Sequence, residues 1–260
     1  MRYKSLSFEA PKGFVLAACV SAALVAGSFG AQAGPITYSN TDDGAPTTGP
    51  FPNSDAAQTT FLAAAATFGP VVTETFEELP ANSGLPSGTP FAMVGGASGK
   101  LNTPFVYPYS GVQNVNSGNL YGFNITPGGK NWLGFANGSF TVSFAGTGTN
   151  SFGFFTTGVQ SIFTDSIDVT FVDGKSEDLS LPVNVNGGAS YFGFTDKVAI
   201  KSVTITNLGN DAWGIDDVSY NAIAVKAVPE ASTWAMLFLG FAGIGFLSYR
   251  RKNSYTLRIV

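Results

Sequence analysis

The chain has 260 residues, 44% of them hydrophobic, and a formal net charge of −4. It contains no histidine and a single cysteine, Cys19, which excludes Ser-His-Asp and Cys-His catalysis and histidine-ligated metals. Residues 34–227 hold six lysines, no arginine and fifteen acidic residues; this argues against a nucleic-acid partner, which needs a basic face.

Arg2, Lys4 and Lys12 precede an apolar run over 13–30, which ends in Ala31-Gln32-Ala33. A basic segment, an apolar core and small side chains at −3 and −1 predict a signal peptide over 1–33, cut by signal peptidase after Ala33. Two alternatives stay open: an uncleaved anchor, and a lipoprotein, because Leu16-Ala17-Ala18-Cys19 has the form of a lipidation box. Residues 34–70 read as a lead-in. The first twenty are rich in Gly, Pro, Thr, Asn and Asp and predict irregular chain. Ser54-Asp55 then offers an N-cap to a helix over 56–67, which Gly69-Pro70 stops.

From Val71 on, β signals dominate. The segments "VVTETFEE", "SFTVSFA", "SFGFFTT", "SIDVTFVDG", "SYFGFT", "VAIKSVTITN" and "WGIDDVSY" are short and rich in β-branched and aromatic residues. Period-two alternation puts Phe140, Val142 and Phe144 on one face, and Ile167, Val169 and Phe171 on another. Asp173-Gly174 predicts a hairpin and Asn137-Gly138 a second turn. "SFGFF" and "YFGF" echo each other but are too short to count as a repeat. Many short strands between Gly and Asn turns predict a mainly β chain, an antiparallel β-sandwich of jelly-roll type over 71–222. With it go one short N-terminal helix, the signal helix and a C-terminal transmembrane helix. "TETFEEL" and "WGIDDVSY" also resemble the opening and closing strands of MAM-like, sugar-binding-type jelly rolls.

After a linker over 223–232, residues 233–249 carry no charge and Arg250, Arg251 and Lys252 end the run. As a helix the uncharged stretch spans roughly 25 Å, the short limit for a bilayer. The basic cluster predicts that 250–260 stays cytoplasmic and that everything before Trp234 lies outside. Val228-Pro229-Glu230, the apolar helix and Arg250-Arg251-Lys252 together resemble the PEP-CTERM sorting signal found on surface proteins of Gram-negative bacteria that make extracellular polysaccharide. The resemblance implies an exosortase, a membrane transpeptidase that recognises the Pro-Glu motif, removes the helix and passes the protein to the surface. Ala231 stands where that signal has a second proline, and 253–260 extend past the usual stop.

Candidate chemistry inside 71–222 is sparse. "GGASGK" (95–100) has the wrong glycine spacing for a phosphate loop, and Leu101 replaces the magnesium-holding hydroxyl. Glu74, Glu77, Glu78, Asp165 and Asp168 could supply the carboxylate pair of a glycoside hydrolase. If the first and last strands are neighbours, Glu77 or Glu78 meets Asp216 and Asp217, and carbonyls of Gly209-Asn210-Asp211 could complete a structural calcium site; the alternative is solvated acids at strand ends. Tyr107, Tyr109, Tyr121 and Trp132 sit in or near loop-rich chain as candidates for sugar stacking. The expected function is a non-enzymatic surface or matrix protein acting in adhesion or exopolysaccharide and biofilm structure. The alternatives are a carbohydrate-binding module and, third, a glycosidase. Aromatic rings lined up in the open would favour sugar binding, and buried rings plain packing.

Overall fold

The computed structural model describes residues 34–82, 84–105, 108–160, 165–223 and 231–252. Ala31, Ala33, Tyr107, Val228, Pro229 and Glu230 lie outside the described residues, as do the side chains of Arg250, Arg251 and Lys252.

The lead-in is not irregular throughout. Residues Ile36–Asp43 form β1, an exposed edge strand paired antiparallel with β10 (Gly188–Asn221) from Ile36 opposite Thr195 to Asp43 opposite Gly188. Its polar side chains hid it, because an edge strand is held by backbone pairing rather than by burial. Helix α1 follows at Pro52–Ala65, with proline in the first turn, where its missing N–H costs nothing. Ser54 is not its cap. The capping carboxylate comes from β1: Asp42 accepts the backbone amides of Asn53 at 3.1 Å and Ser54 at 2.8 Å, placing negative charge at the positive end of the helix dipole. Ser54 is buried and donates to the Ala189 carbonyl at 3.1 Å.

The remaining strands are β2 (Val71–Glu74), β3 (Pro90–Ala92), β4 (Ser98–Asn102), β5 (Gly111–Gln113), β6 (Trp132–Ser143), β7 (Thr149–Thr157), β8 (Asp165–Phe171) and β9 (Ser176–Leu179). All pairings are antiparallel, and the sheet is sandwich-like because the long β10 folds back twice. Its first stretch pairs with β1 and β7, its middle stretch with β6 and β8, and its last with β6, β7 and β2. The first and last strands of the predicted sandwich are therefore neighbours, with Glu74 opposite Val218.

Phe140, Val142, Phe144, Ile167, Val169 and Phe171 are buried in one apolar cluster with Phe152, Phe154, Phe192 and Phe194, as the alternation predicts. The echoed segments "SFGFF" and "YFGF" lie side by side: Phe152 faces Phe194, Gly153 faces Gly193, and Phe154 faces Phe192. These four phenylalanines point into the core, and Phe155 lies on the other face. On the opposite face the glycine pair leaves a notch, which the fully buried Phe61 of α1 fills. A Cβ on Gly193 would lie 2.7 Å from that ring, and one on Gly153 3.0 Å from it.

Asp173-Gly174 makes the hairpin between β8 and β9. Asn137-Gly138 does not turn the chain. Both residues take positive φ (53° and 125°) inside β6, opposite a register break in β10 between Asn207 and Ala212. The pair is a bend in a continuous strand, since only such a kink lets β6 follow a partner that loops out.

Helix α2 spans Ala231–Lys252, where the sequence predicts it. Its described side chains, 236–249, are exposed. Among the described residues no helix is long and apolar enough to cross a membrane. The predicted crossing at 233–249 falls within α2.

Candidate functional site

Where β6 and β10 meet, Gly134 lies opposite Gly214. The ring of Trp132 rests on this pair and on Gly122 from the loop before β6. Added Cβ atoms would lie 2.8 Å from the ring at Gly134, 2.7 Å at Gly214 and 2.6 Å at Gly122. Next in register, Phe135 faces Trp213, their ring centroids 4.8 Å apart. Trp132 and the strands carrying Phe135 and Trp213 line a cavity of about 660 Å³, whose rim carries Phe105, Tyr109 and Tyr121. Trp132 and Trp213 are buried, whereas Tyr109 is 62% and Tyr121 53% exposed. Gln113, Gln160 and Asp211 add polar groups to the lining.

Each wall is held by identifiable bonds. The loop carrying Phe105 and Tyr109 is pinned to β6 at Ala136, whose carbonyl accepts from the Thr103 hydroxyl at 3.1 Å and whose amide donates to Ser110 Oγ at 3.3 Å. The looped-out turn of β10 closes on buried Asn207, whose Nδ2 donates to the carbonyls of Phe135 (3.2 Å) and Asp211 (2.7 Å). Asp211 in turn accepts the Gln160 amide at 3.2 Å. Burial holds the Asp211 carboxyl above the usual carboxylate range, against the pull of the Gln160 and Ala212 amides. Nearby Asp165 is pushed up to about 7, by burial first and by repulsion from Asp211 second.

The indole N–H groups of Trp132 and Trp213 are buried and have no hydrogen-bond partner among the described residues. Such a group costs about 1–3 kcal/mol when nothing accepts from it.

The acidic residues expected at the first and last strands do come together, but for another purpose. Glu77 accepts the amides of Lys130 (2.7 Å) and Asn131 (2.8 Å). Asp216 accepts those of Ile125 (2.8 Å) and Thr126 (3.3 Å), and Asp217 accepts the Thr126 hydroxyl at 2.6 Å. Together they clamp the loop 114–131, which carries Tyr121 and Gly122 to the cavity. Burial raises the Asp216 carboxyl well above its ordinary range, with Asp217 beside it adding to the shift. Glu78 is exposed. Among the described residues no three acidic or cysteine side chains are grouped so as to hold a metal ion. Glu77 and Asp216 are engaged by backbone amides and Asp217 by the Thr126 hydroxyl.

The other carboxylates weighed for glycoside hydrolysis are dispersed. Glu74 is buried and accepts the amides of Phe76 (2.8 Å) and Val94 (2.9 Å). Asp168 lies directly opposite Asp178 on β9, and its carboxyl is raised by burial and by that neighbour. Of the aromatic candidates, Tyr109, Tyr121 and Trp132 share the cavity. Sequence reasoning missed Trp213 and Asp211 in this role. The signal that could have found them is the run Gly209-Asn210-Asp211, a turn placed two residues before a tryptophan and a glycine.

Residues 227–252 match the PEP-CTERM protein-sorting motif. The fold is similar to the crystal structure of the K2 cleaved adhesin domain of Lys-gingipain, at 14% identity and a TM-score of 0.35 over 58% of this chain and 97% of that one. No curated protein matches the chain.

Proposed function

We propose, from the PEP-CTERM motif at 227–252, that the protein is an exported precursor held in the inner membrane of a Gram-negative bacterium by the helix over 233–249. An exosortase cuts it near Pro229-Glu230 and delivers it to the cell surface or the surrounding matrix. There the β domain acts without catalysis, in adhesion or in structuring extracellular polysaccharide. The motif match carries the export and sorting part of this reading. Arg250, Arg251 and Lys252 support the orientation, because positive charge resists translocation.

The cavity weighs against the glycosidase alternative: among the described residues that line it, Asp211 is the sole carboxylate, whereas glycoside hydrolysis needs two flanking one bond. The aromatic lining favours a second reading within the same surface role, a carbohydrate-binding module.

Mass spectrometry of surface and secreted material tests the sorting. Peptides from the β domain are expected and none from Met236 onward; a mature protein that keeps its C-terminus overturns the reading. N-terminal sequencing of the same material should begin at Gly34, and a chain that begins at a lipidated Cys19 replaces signal-peptidase cleavage with lipoprotein processing.

A further inference from the structure

Resting on the surface-binding reading above, we infer that the cavity framed by Tyr109, Tyr121, Trp132 and Trp213 is a binding site for a neutral sugar unit of an extracellular glycan. Its volume, about 660 Å³, lies within the range that accommodates small ligands. The question is which chemistry its walls select.

An anionic sugar finds no counter-charge, because among the described residues no lysine or arginine lines the cavity and the charged group present is the acid Asp211. A uronate, sulfate or phosphate would be desolvated against a carboxylate. A small quaternary cation would gain from the aromatic faces. It would give nothing, however, to the Gln113 and Gln160 amides. A purely apolar ligand would strip water from those same polar groups without replacing it.

A neutral sugar ring answers both kinds of wall. Its C–H face lies flat on an aromatic ring, and its ring-edge hydroxyls both donate and accept. They can accept from amide N–H groups and donate to the Asp211 carboxylate or an amide oxygen. The two tyrosines stand more than half exposed at the rim, on loops held from behind by Ala136 and by Asp216. They offer flat surfaces to the next sugar units of a chain at little ordering cost, since the supporting bonds already exist in the unliganded protein. This is the exposure pattern expected of a stacking platform, and the one a plain core lacks.

The test uses the purified full-length chain in a detergent without a sugar headgroup. It is titrated with neutral tetrasaccharides of gluco, manno and galacto configuration, with an oligouronate and with tetramethylammonium chloride. Isothermal calorimetry is read beside tryptophan emission. At least one neutral tetrasaccharide should bind and shift the emission, and the paired variant Tyr109→Ala/Tyr121→Ala should weaken it by about tenfold or more while melting like the parent. Asp211→Asn should change the ranking among the three sugars, because hydroxyl-specific hydrogen bonds set selectivity. Silence across the neutral panel, binding untouched by the tyrosine pair, or binding only of the oligouronate or the cation overturns the inference. Each of these outcomes leaves the sorting experiment unaffected, so either proposal fails separately. Release of reducing ends from a bound sugar would instead overturn the non-enzymatic part of the functional reading.

Discussion

Two aromatic rings in this protein rest on cross-strand glycine pairs. Phe61 sits on Gly153 and Gly193, between β7 and β10; Trp132 sits on Gly134 and Gly214, between β6 and β10. The local device is the same: glycine on both strands removes the Cβ atoms and lets a ring approach the backbone. What differs is the cover. Phe61 arrives on a helix, and Leu62 of that helix with Tyr38 of β1 and Val71 of β2 packs around it to close the notch. Trp132 belongs to the sheet itself and is flanked by loops, so its surroundings stay open as a cavity edged by amides and a carboxylate. One seat serves stability. The other has the form of a site.

The largest expected effect separates the two seats by their energetics. Phe61→Ala empties a fully buried position, so urea unfolding of the full chain should show a loss of about 3–5 kcal/mol. Sugar binding by the molecules that remain folded should be retained. A loss below about 1 kcal/mol would mean that α1 is not needed to close that face.

Intermediate effects come from filling the seats. Gly193→Ala and Gly214→Ala each put a methyl group 2.7 Å from a ring atom, and overpacking of this kind costs about 1–3 kcal/mol. The distinguishing readout is optical. Gly214→Ala should shift tryptophan emission because it moves Trp132, and Gly193→Ala should leave emission unchanged because it moves only Phe61. Equal spectral shifts would show that the two seats are mechanically coupled and not independent.

How far this contrast was legible in the sequence depends on the range of each interaction. The core faces of β6 and β8 were readable because Phe140-Thr141-Val142 and Ile167-Asp168-Val169 alternate apolar with polar. The strands around the Phe61 seat were recognised as strands, but their pairing was not. Gly153 and Gly193 are forty residues apart, and both faces of their strands are apolar, so no alternation marks which side meets the helix. The β1 strand was missed because its side chains are polar, and the helix cap because Asp42 reaches it across a loop. At the other seat Tyr109, Tyr121 and Trp132 were identifiable as aromatic residues in loop-rich chain. Convergence of Glu77, Asp216 and Asp217 was also foreseeable from adjacent first and last strands. Their role was not: whether a carboxylate faces an ion or a backbone amide is decided by the path of the 114–131 loop, which has no local pattern.

A smaller effect tests the electrostatics of the open side. Asp165, raised to about 7 by burial and Asp211, keeps its proton in the folded state at pH values where the unfolded chain, near 3.8, has lost it. Below about pH 4 both states are protonated and the group is neutral to folding. Between about 4 and 7 the folded state binds more protons, so stability falls as pH rises, and above 7 the penalty levels off. Partial solvent access screens the effect, which stays well under the single-proton limit of about 1.4 kcal/mol per pH unit. Urea midpoints of the parent and Asp165→Asn, compared at pH 4.5 and pH 7.5, should diverge at the higher pH in favour of the asparagine variant. Parallel midpoints would remove Asp165 from the account of the cavity's charge.

The smallest effect is the one that sharpens the comparison most. Tyr121 is 53% exposed, its ring sits at the cavity rim, and the loop that carries it is fixed through backbone amides donated to Asp216 and Glu77 rather than through the phenol. Truncating it should therefore leave the clamp in place and remove little buried area. Tyr121→Ala is expected to change unfolding free energy by no more than about 0.5 kcal/mol, the range of ordinary surface substitutions, in the same denaturation series in which Phe61→Ala costs several. A rim ring that contributes almost nothing to stability, yet is presented on a loop held by several charge-assisted bonds, has its position explained by what it contacts outside the fold. A loss above about 1 kcal/mol would instead place Tyr121 in the packing, and the open seat would become a looser version of the closed one.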